Sequence, residues 1–228
     1  MKIIGNGLIG REFRKVADQY RDMEITVFAS GVAKSTENRR EEYDREYDMI
    51  AREISTGNKI IYFSTCSILQ KRSTNYIAHK KRIEKVLSEL CDCLIVRLPQ
   101  VVGHNANANT LVEYFYRRLM TGKTFDVYAN AYRSLIDVED VARIVSIFLN
   151  KDYPLGNTLN ISSESQVLAI DIVRWFEEAL GITGNYNVIS SKSDRLDIDL
   201  SCARRLLGAS DSIFKSQYWS DVLRKYYL

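Results

Sequence analysis

The sequence predicts an α/β protein: a parallel sheet with helices on both faces and few strands. Three observations carry this. Apolar runs of strand length alternate with stretches of helical period through the first hundred residues. A turn with three glycines, Gly5-Asn6-Gly7-Leu8-Ile9-Gly10, stands between the first apolar run and the first helical stretch. Turn residues, Gly57-Asn58 and Pro99, punctuate the later boundaries.

Taken in order, Met1 to Ile4 is a short strand and Arg11 to Tyr20 a helix. Ile25 to Ala29 is a second strand. Ser35 to Ile54 is highly charged, yet Tyr43, Tyr47, Ile50 and Ile54 form one stripe, as in an amphipathic helix. Lys59 to Phe63 is a third strand, Tyr76 to Leu90 a helix, and Cys93 to Leu98 a fourth strand ended by Pro99. Further on, Thr110 to Thr121, Val138 to Leu149, Ile170 to Leu180, Leu200 to Leu207 and Tyr218 to Tyr227 read as helices; Gly181 and Gly208 close two of them. Phe125 to Tyr128 and Thr158 to Ile161 read as strands. No repeat or linker interrupts the pattern. We read one domain over 1–228, with a core in 1–104 and mixed core and capping segments in 105–228.

Composition narrows the function classes. With 228 residues, 46% hydrophobic and 27% charged, the chain can bury a core without metal or disulfides. A net charge of +3 with interspersed acids and no basic run gives no footprint for nucleic acid. No stretch reaches the roughly 18 apolar residues of a membrane span. The N-terminus lacks the pattern of a signal peptide, so the expected location is cytoplasmic. Cys66, Cys91, Cys93 and Cys202, with only His79 and His104 beside them, match no zinc spacing, so no metal is expected.

Candidate chemistry sits at three places. In the glycine turn, Gly5 permits a tight turn, Gly7 lets backbone approach a phosphate, and Gly10 lets helix and strand pack closely; the amides of Leu8, Ile9 and Gly10 start the helix. Strand–turn–helix context makes this a Rossmann-like dinucleotide site, the alternative being a ligand-free structural turn. Tyr76 and Lys80, four apart, share a helix face, where an ammonium beside a phenol favours proton exchange near neutral pH; an unremarkable surface pair has the same spacing. Thr65, in Phe63-Ser64-Thr65-Cys66-Ser67, lies at a strand's C-terminal end, facing the crevice in which open α/β sheets bind ligands. A hydroxyl turned back on its own backbone is the competing reading.

Together these segments resemble the extended short-chain dehydrogenase/reductase family, the NAD-dependent epimerases, dehydratases and ketoreductases of sugar nucleotides. The matching segments run in order: Gly5 to Gly10, Phe28-Ala29-Ser30-Gly31-Val32, Tyr62 to Ser67, Tyr76 to Lys80, Ile95 to Pro99 through Gly103, and Arg133 to Asp140. The resemblance implies NAD or NADP as cofactor, a nucleotide-diphosphate sugar as partner, and a homodimer through a helix pair, for which Ser35 to Ile54 and Tyr76 to Leu90 are candidates. It makes Tyr76 the acid/base, has Lys80 hold the nicotinamide ribose, and has Thr65 orient the substrate oxygen. Gly5, Asn6, Gly7, Leu8, Ile9, Gly10, Ala29, Ser30 and Gly31 would line the cofactor. Arg133 would grip the substrate's diphosphate; Ser67, Asn105, Asn107 and Asn109 would lie near the sugar.

The chain departs from that family after the first helix. Ile25 to Ala29 looks like the family's fourth strand, so the second and third are missing, with the acid that reads the adenosine ribose. NAD and NADP are therefore not distinguished. A right-handed crossover would move the first helix to the other face; keeping it in place needs a rare left-handed crossover or exchange between chains. Cys66-Ser67 stands where dehydratases of the family carry an acid pair, which disfavours dehydration. The preferred expectation is a 4-ketoreductase with Tyr76 as general acid. An epimerase using the same residues, or a non-catalytic, partner-dependent relative serving as a binding subunit, remains open.

Overall fold

The computed structural model describes residues 1–104, 110–151 and 158–228. Along the chain come β1 (Lys2–Ile4), α1 (Leu8–Val16), β2 (Ile25–Phe28), α2 (Arg40–Ile54), β3 (Lys59–Thr65), α3 (Asn75–Leu90), β4 (Cys93–Leu98) and β5 (Gln100–Val102). Next are α4 (Leu111–Met120), β6 (Phe125–Tyr128), β7 (Tyr132–Arg133), β8 (Leu135–Asp137), α5 (Val138–Asn150), β9 (Thr158–Asn160) and β10 (Val167–Leu168). The last are α6 (Ala169–Leu180), β11 (Tyr186–Ile189), α7 (Ser201–Leu207) and α8 (Tyr218–Tyr227). The sequence reading did not include β5, β7, β8, β10 or β11; of the helices it did include, α1 starts three residues earlier than expected and passes into a 3-10 turn at Ala17, and the largest shift of a start is at α2. Residues 35–39 stay outside the helix; there the Glu37 carboxylate accepts from the backbone of Asn38 and Arg39 and from the Arg39 guanidinium, which holds a turn instead.

The chain divides into two compact units, Met1–Leu98 with Val138–Ile161 and Ile198–Gly208, and Pro99–Asp137 with Ser162–Asp197 and Ala209–Leu228. The first holds a parallel five-stranded sheet in the order β1-β2-β3-β4-β9. Its central strands β2, β3 and β4 are buried on both faces, as parallel sheets require, whereas the edge strand β1 is half-buried to exposed. Phe28, Ile60, Tyr62, Cys93 and Ile95 face one side and pack against Ile50 of α2 and Ile83 and Leu87 of α3. Residues of the other parity face α1, whose Phe13 lies 5.3 Å from Phe63, ring to ring. α5 packs on α1.

This arrangement fixes the hand of the connections. From β1 to β4 each helix carries the chain one strand along in the same direction. α2 and α3 lie on one face and α1 on the other, so the β1-α1-β2 crossover has the opposite hand to the two that follow. Parallel crossovers are right-handed in nearly all cases. The first crossover is accordingly the left-handed one, made within a single chain.

The second unit carries three two-stranded pairings: β5 with β8 and β6 with β11, both parallel, and β7 with β10, antiparallel. Phe115 of α4, Phe125 of β6 and Phe176 of α6 are buried in it. Gly181 closes α6 with φ +65°, the left-handed cap expected there. Among the described residues no helix is long and apolar enough to cross a membrane, and no group of three or more His, Cys, Asp or Glu side chains could hold a metal.

Candidate active site

Three chain segments meet at the C-terminal ends of β1 to β3. The glycine turn is held by backbone packing. Gly5 has φ +113°, and a Cβ there would overlap the Ala29 carbonyl; a Cβ on Gly10 would overlap the carbonyl oxygen of Gly5. Gly7 differs: a Cβ there would meet nothing within 4 Å. Gly7 also caps α1 without a side-chain hydrogen bond, so the amides that follow have no side-chain acceptor at the cap. The Arg14 guanidinium donates to Gly5 O and Asn6 Oδ1, both at 2.7 Å, and Arg11 to Asn6 O at 3.1 Å. These cations add positive potential where the helix dipole is positive.

The loop after β2 connects this turn to α3. Ala29 donates to Ile4 O at 2.7 Å. Two residues on, a Cβ on Gly31 would lie 2.7 Å from Lys80 Nζ and 2.7 Å from Glu46 Oε1. Val32 packs with Tyr76, Ile77 and Tyr43. Ser30 is contacted by Arg45 of α2, at 3.4 Å from its hydroxyl and 3.3 Å from its carbonyl oxygen.

Tyr76 and Lys80 lie in the first turns of α3, which Thr74 caps by accepting from Ile77 N–H at 3.2 Å. Both are buried, Tyr76 to 8% exposure and Lys80 to 2%. Lys80 Nζ donates to Glu46 Oε1 and Tyr62 OH, both at 2.9 Å. It lies 5.8 Å from the Tyr76 ring centre. Thr65 accepts from Ser67 N–H at 3.1 Å and caps a short 3-10 turn, Cys66–Leu69. Its oxygen thus turns back on the backbone while its proton stays free to donate. Burial pushes the Cys66 thiol up to about 12, out of range for acid–base work near neutrality.

Sequence reasoning missed Glu46, the centre of this region. Its side chain is fully buried. It accepts from Val32 N–H and Tyr62 OH at 2.7 Å and from Lys80, with His79 Nε2 at 3.0 Å. Burial pushes the carboxyl up, but Lys80, His79, the Val32 amide and Tyr62 outweigh it and hold the group well below the usual carboxylate range. Burial, then Glu46, pushes the Tyr62 phenol well above its ordinary value. The signal was in the sequence: Glu46 lies three residues after Tyr43 and four before Ile50, on the inward stripe of α2.

In the second unit, Arg133 is half-buried and its Nη1 donates to Asp194 Oδ2 at 2.7 Å. Asp194 also accepts from Tyr132 N–H at 2.6 Å, so it fixes the strand carrying the arginine. Nothing in the sequence singled out Asp194, because its partner is 61 residues away. Asn105, Asn107 and Asn109 lie outside the described residues.

Comparison with known proteins agrees with this architecture. Residues 57–162 match the NAD dependent epimerase/dehydratase family. No curated protein sequence matches the chain. Among solved structures it is similar to dTDP-glucose 4,6-dehydratase from Bacillus anthracis in complex with NAD, at TM-score 0.71 and 14% identity over 97% of this chain and 78% of that one. It is similar to UDP-glucuronic acid 4-epimerase from Bacillus cereus, in complex with UDP-glucuronic acid and NAD, at 0.71 and 14% over 92% and 79%. UDP-glucose 4-epimerase from Thermus thermophilus, in complex with NAD, gives 0.62 and 16% over 80% and 71%.

Proposed function

We propose that this chain, which has the fold of the NAD-dependent sugar-nucleotide epimerases and dehydratases, is an NAD(P)-dependent oxidoreductase or epimerase acting on a nucleotide-diphosphate sugar. The preferred reaction is reduction of a 4-keto-6-deoxy sugar nucleotide, with Tyr76 as general acid. One observation carries the reading: the loop from Ala29 to Val32 abuts the glycine turn at one end and the Lys80 and Tyr76 side chains at the other.

The residues present fit a dinucleotide. The open space at Gly7 and the uncapped start of α1 suit a diphosphate. Lys80 spends two of its three donors on Glu46 and Tyr62 and keeps one for a ribose hydroxyl. When bound, the nicotinamide supplies the hydride. Tyr76 gives its proton to the keto oxygen, and Thr65 donates to the same atom and orients it. Arg133, with Nη1 anchored on Asp194, offers the rest of its fork to the substrate's diphosphate. Ser67, Asn105 and Asn109 are assigned to the sugar. The high thiol value of Cys66 supports reduction or epimerisation over dehydration.

One observation favours a second reading, a non-catalytic binding subunit. β1 is an edge strand, and the strand after α1 lies on its inner side. No described strand stands where the adenosine ribose would be read. Calorimetry with NADH and NADPH, alone and with UDP- and dTDP-sugars, separates the two. Binding, together with a Tyr76→Phe variant that keeps cofactor affinity and loses most turnover, supports the enzyme. Absence of binding under all conditions removes it.

A further inference from the structure

The network beneath Gly31 deepens the functional reading, on which it rests. A fully buried carboxylate on the apolar stripe of α2 carries a desolvation cost that a single partner does not offset. Here four donor groups converge on Glu46. The groups facing it are Lys80, His79 and, beyond Lys80, Tyr76 from α3; Tyr62 from β3; and Tyr43 from α2 itself, its ring centre 4.8 Å from that of His79 with the planes tilted 45°. The Val32 amide closes the ring from the loop. Glu84 acts on Tyr62 from farther away. Between them, Glu46 and Gly31 leave the flexible lysine stem one place to put its ammonium.

We propose that Glu46 is a positioning residue for the Tyr76–Lys80 pair: it pins Lys80 Nζ beneath Gly31 as half of a buried ion pair and thereby sets the field in which the Tyr76 phenol works. A bare ammonium in this place would present a full positive charge to the phenol. Paired with Glu46, it presents little net charge but the same hydrogen-bond donor. Glu46 acts through Lys80, not on the substrate.

Two variants test this. Glu46→Gln keeps the shape and removes the charge, leaving Lys80 uncompensated. The charge removed lies farther from Tyr76 than Lys80 Nζ, which is 5.8 Å from the ring centre; a unit charge about 8–10 Å away, at an effective dielectric near 20, moves a titration by about 1–1.5 pH units. Positive potential favours the phenolate, so the limb on which the acid loses its proton moves to lower pH. The assay is the pH–rate profile of NADH-dependent reduction of dTDP-4-keto-6-deoxyglucose, with NADH affinity measured on the same samples by calorimetry. We expect the high-pH limb of Glu46→Gln to move about 1–1.5 units to acid, with NADH affinity within about threefold of the parent. Glu46→Asp, which keeps the charge but withdraws it, keeps the limb in place and lowers kcat about tenfold. A Glu46→Gln limb that coincides with the parent's overturns the proposal. If Glu46→Gln does not fold, Glu46→Asp decides: a parental kcat or a displaced limb overturns it. A parent that binds no NADH is a different result, seen before any variant is made, and it overturns the functional reading itself.

Discussion

Gly5 and Gly7 lie two residues apart, and the same substitution should do opposite things at each. Alanine at Gly5 meets two obstacles. The backbone is at φ +113°, a conformation side chains rarely adopt, which costs about 1–3 kcal/mol. The new Cβ also overlaps the Ala29 carbonyl, a backbone group that must shift as a whole, for about another 1–3 kcal/mol. Together that is about 2–6 kcal/mol, a large part of the 5–15 kcal/mol that holds a typical domain folded. Alanine at Gly7 has φ −71°, ordinary extended backbone, and no atom within 4 Å. Its cost is that of a poorer helix cap, under about 1 kcal/mol. The methyl then stands where a diphosphate would approach the start of α1, so NADH affinity should fall about tenfold or more, about 1.4 kcal/mol. Urea denaturation measures the first effect and calorimetry with NADH the second. The reasoning is refuted if Gly7→Ala binds NADH like the parent, or if it unfolds as readily as Gly5→Ala.

Three further outcomes follow from the same geometry. Lys80→Met strands the buried Glu46 carboxylate and should destabilise by about 3–5 kcal/mol in denaturant, whereas the double change with Glu46→Gln, which removes the stranded charge and keeps an acceptor for Val32 N–H and Tyr62 OH, should recover most of that loss. Glu46, held below its ordinary value of 4.5, contributes stability that is fully present above that pH and is lost as the pH falls toward its depressed folded value. The stability difference between the parent and Glu46→Gln should therefore shrink as denaturation is repeated below pH 4.5, and a constant difference would contradict the network. Arg133→Ala should weaken UDP-sugar binding about tenfold while leaving NADH affinity unchanged, both read by calorimetry.

Much of the fold was legible because each element's signal is local. The alternation of apolar runs with helical periods located the sheet strands, and Gly181 and Pro99 marked ends that the structure keeps. The start of α2 was misread because Glu37 holds a turn through hydrogen bonds that no periodicity reports. At the site, Gly5, Gly10, Tyr76 and Lys80 could be picked out by spacing, since backbone approach and a shared helix face follow from sequence offset. Glu46 stood out by spacing only as a charge on an apolar stripe, and Asp194 not at all. Their importance lies in partners 34 and 61 residues distant, which only the folded chain brings near.

The left-handed first crossover follows from the same long-range packing. Glu53 of α2 takes Lys2 Nζ at 2.7 Å and lies 3.4 Å from Thr26 Oγ1, and Ile4 joins the apolar cluster beneath α2. α2 therefore reaches across β3 and β2 to β1. With no strand beyond β1 among the described residues, that face of the edge is already covered. A right-handed β1-α1-β2 unit would put α1 on the space α2 fills, so α1 goes to the opposite face, where Phe13 meets Phe63 and α5 packs beside it. The hand of the first crossover and the reach of α2 to the edge strand are thus two sides of one packing arrangement. The arrangement also keeps the start of α1 at the end of the sheet where the Ala29–Val32 loop passes, so the glycine turn and Lys80 stay within reach of one loop.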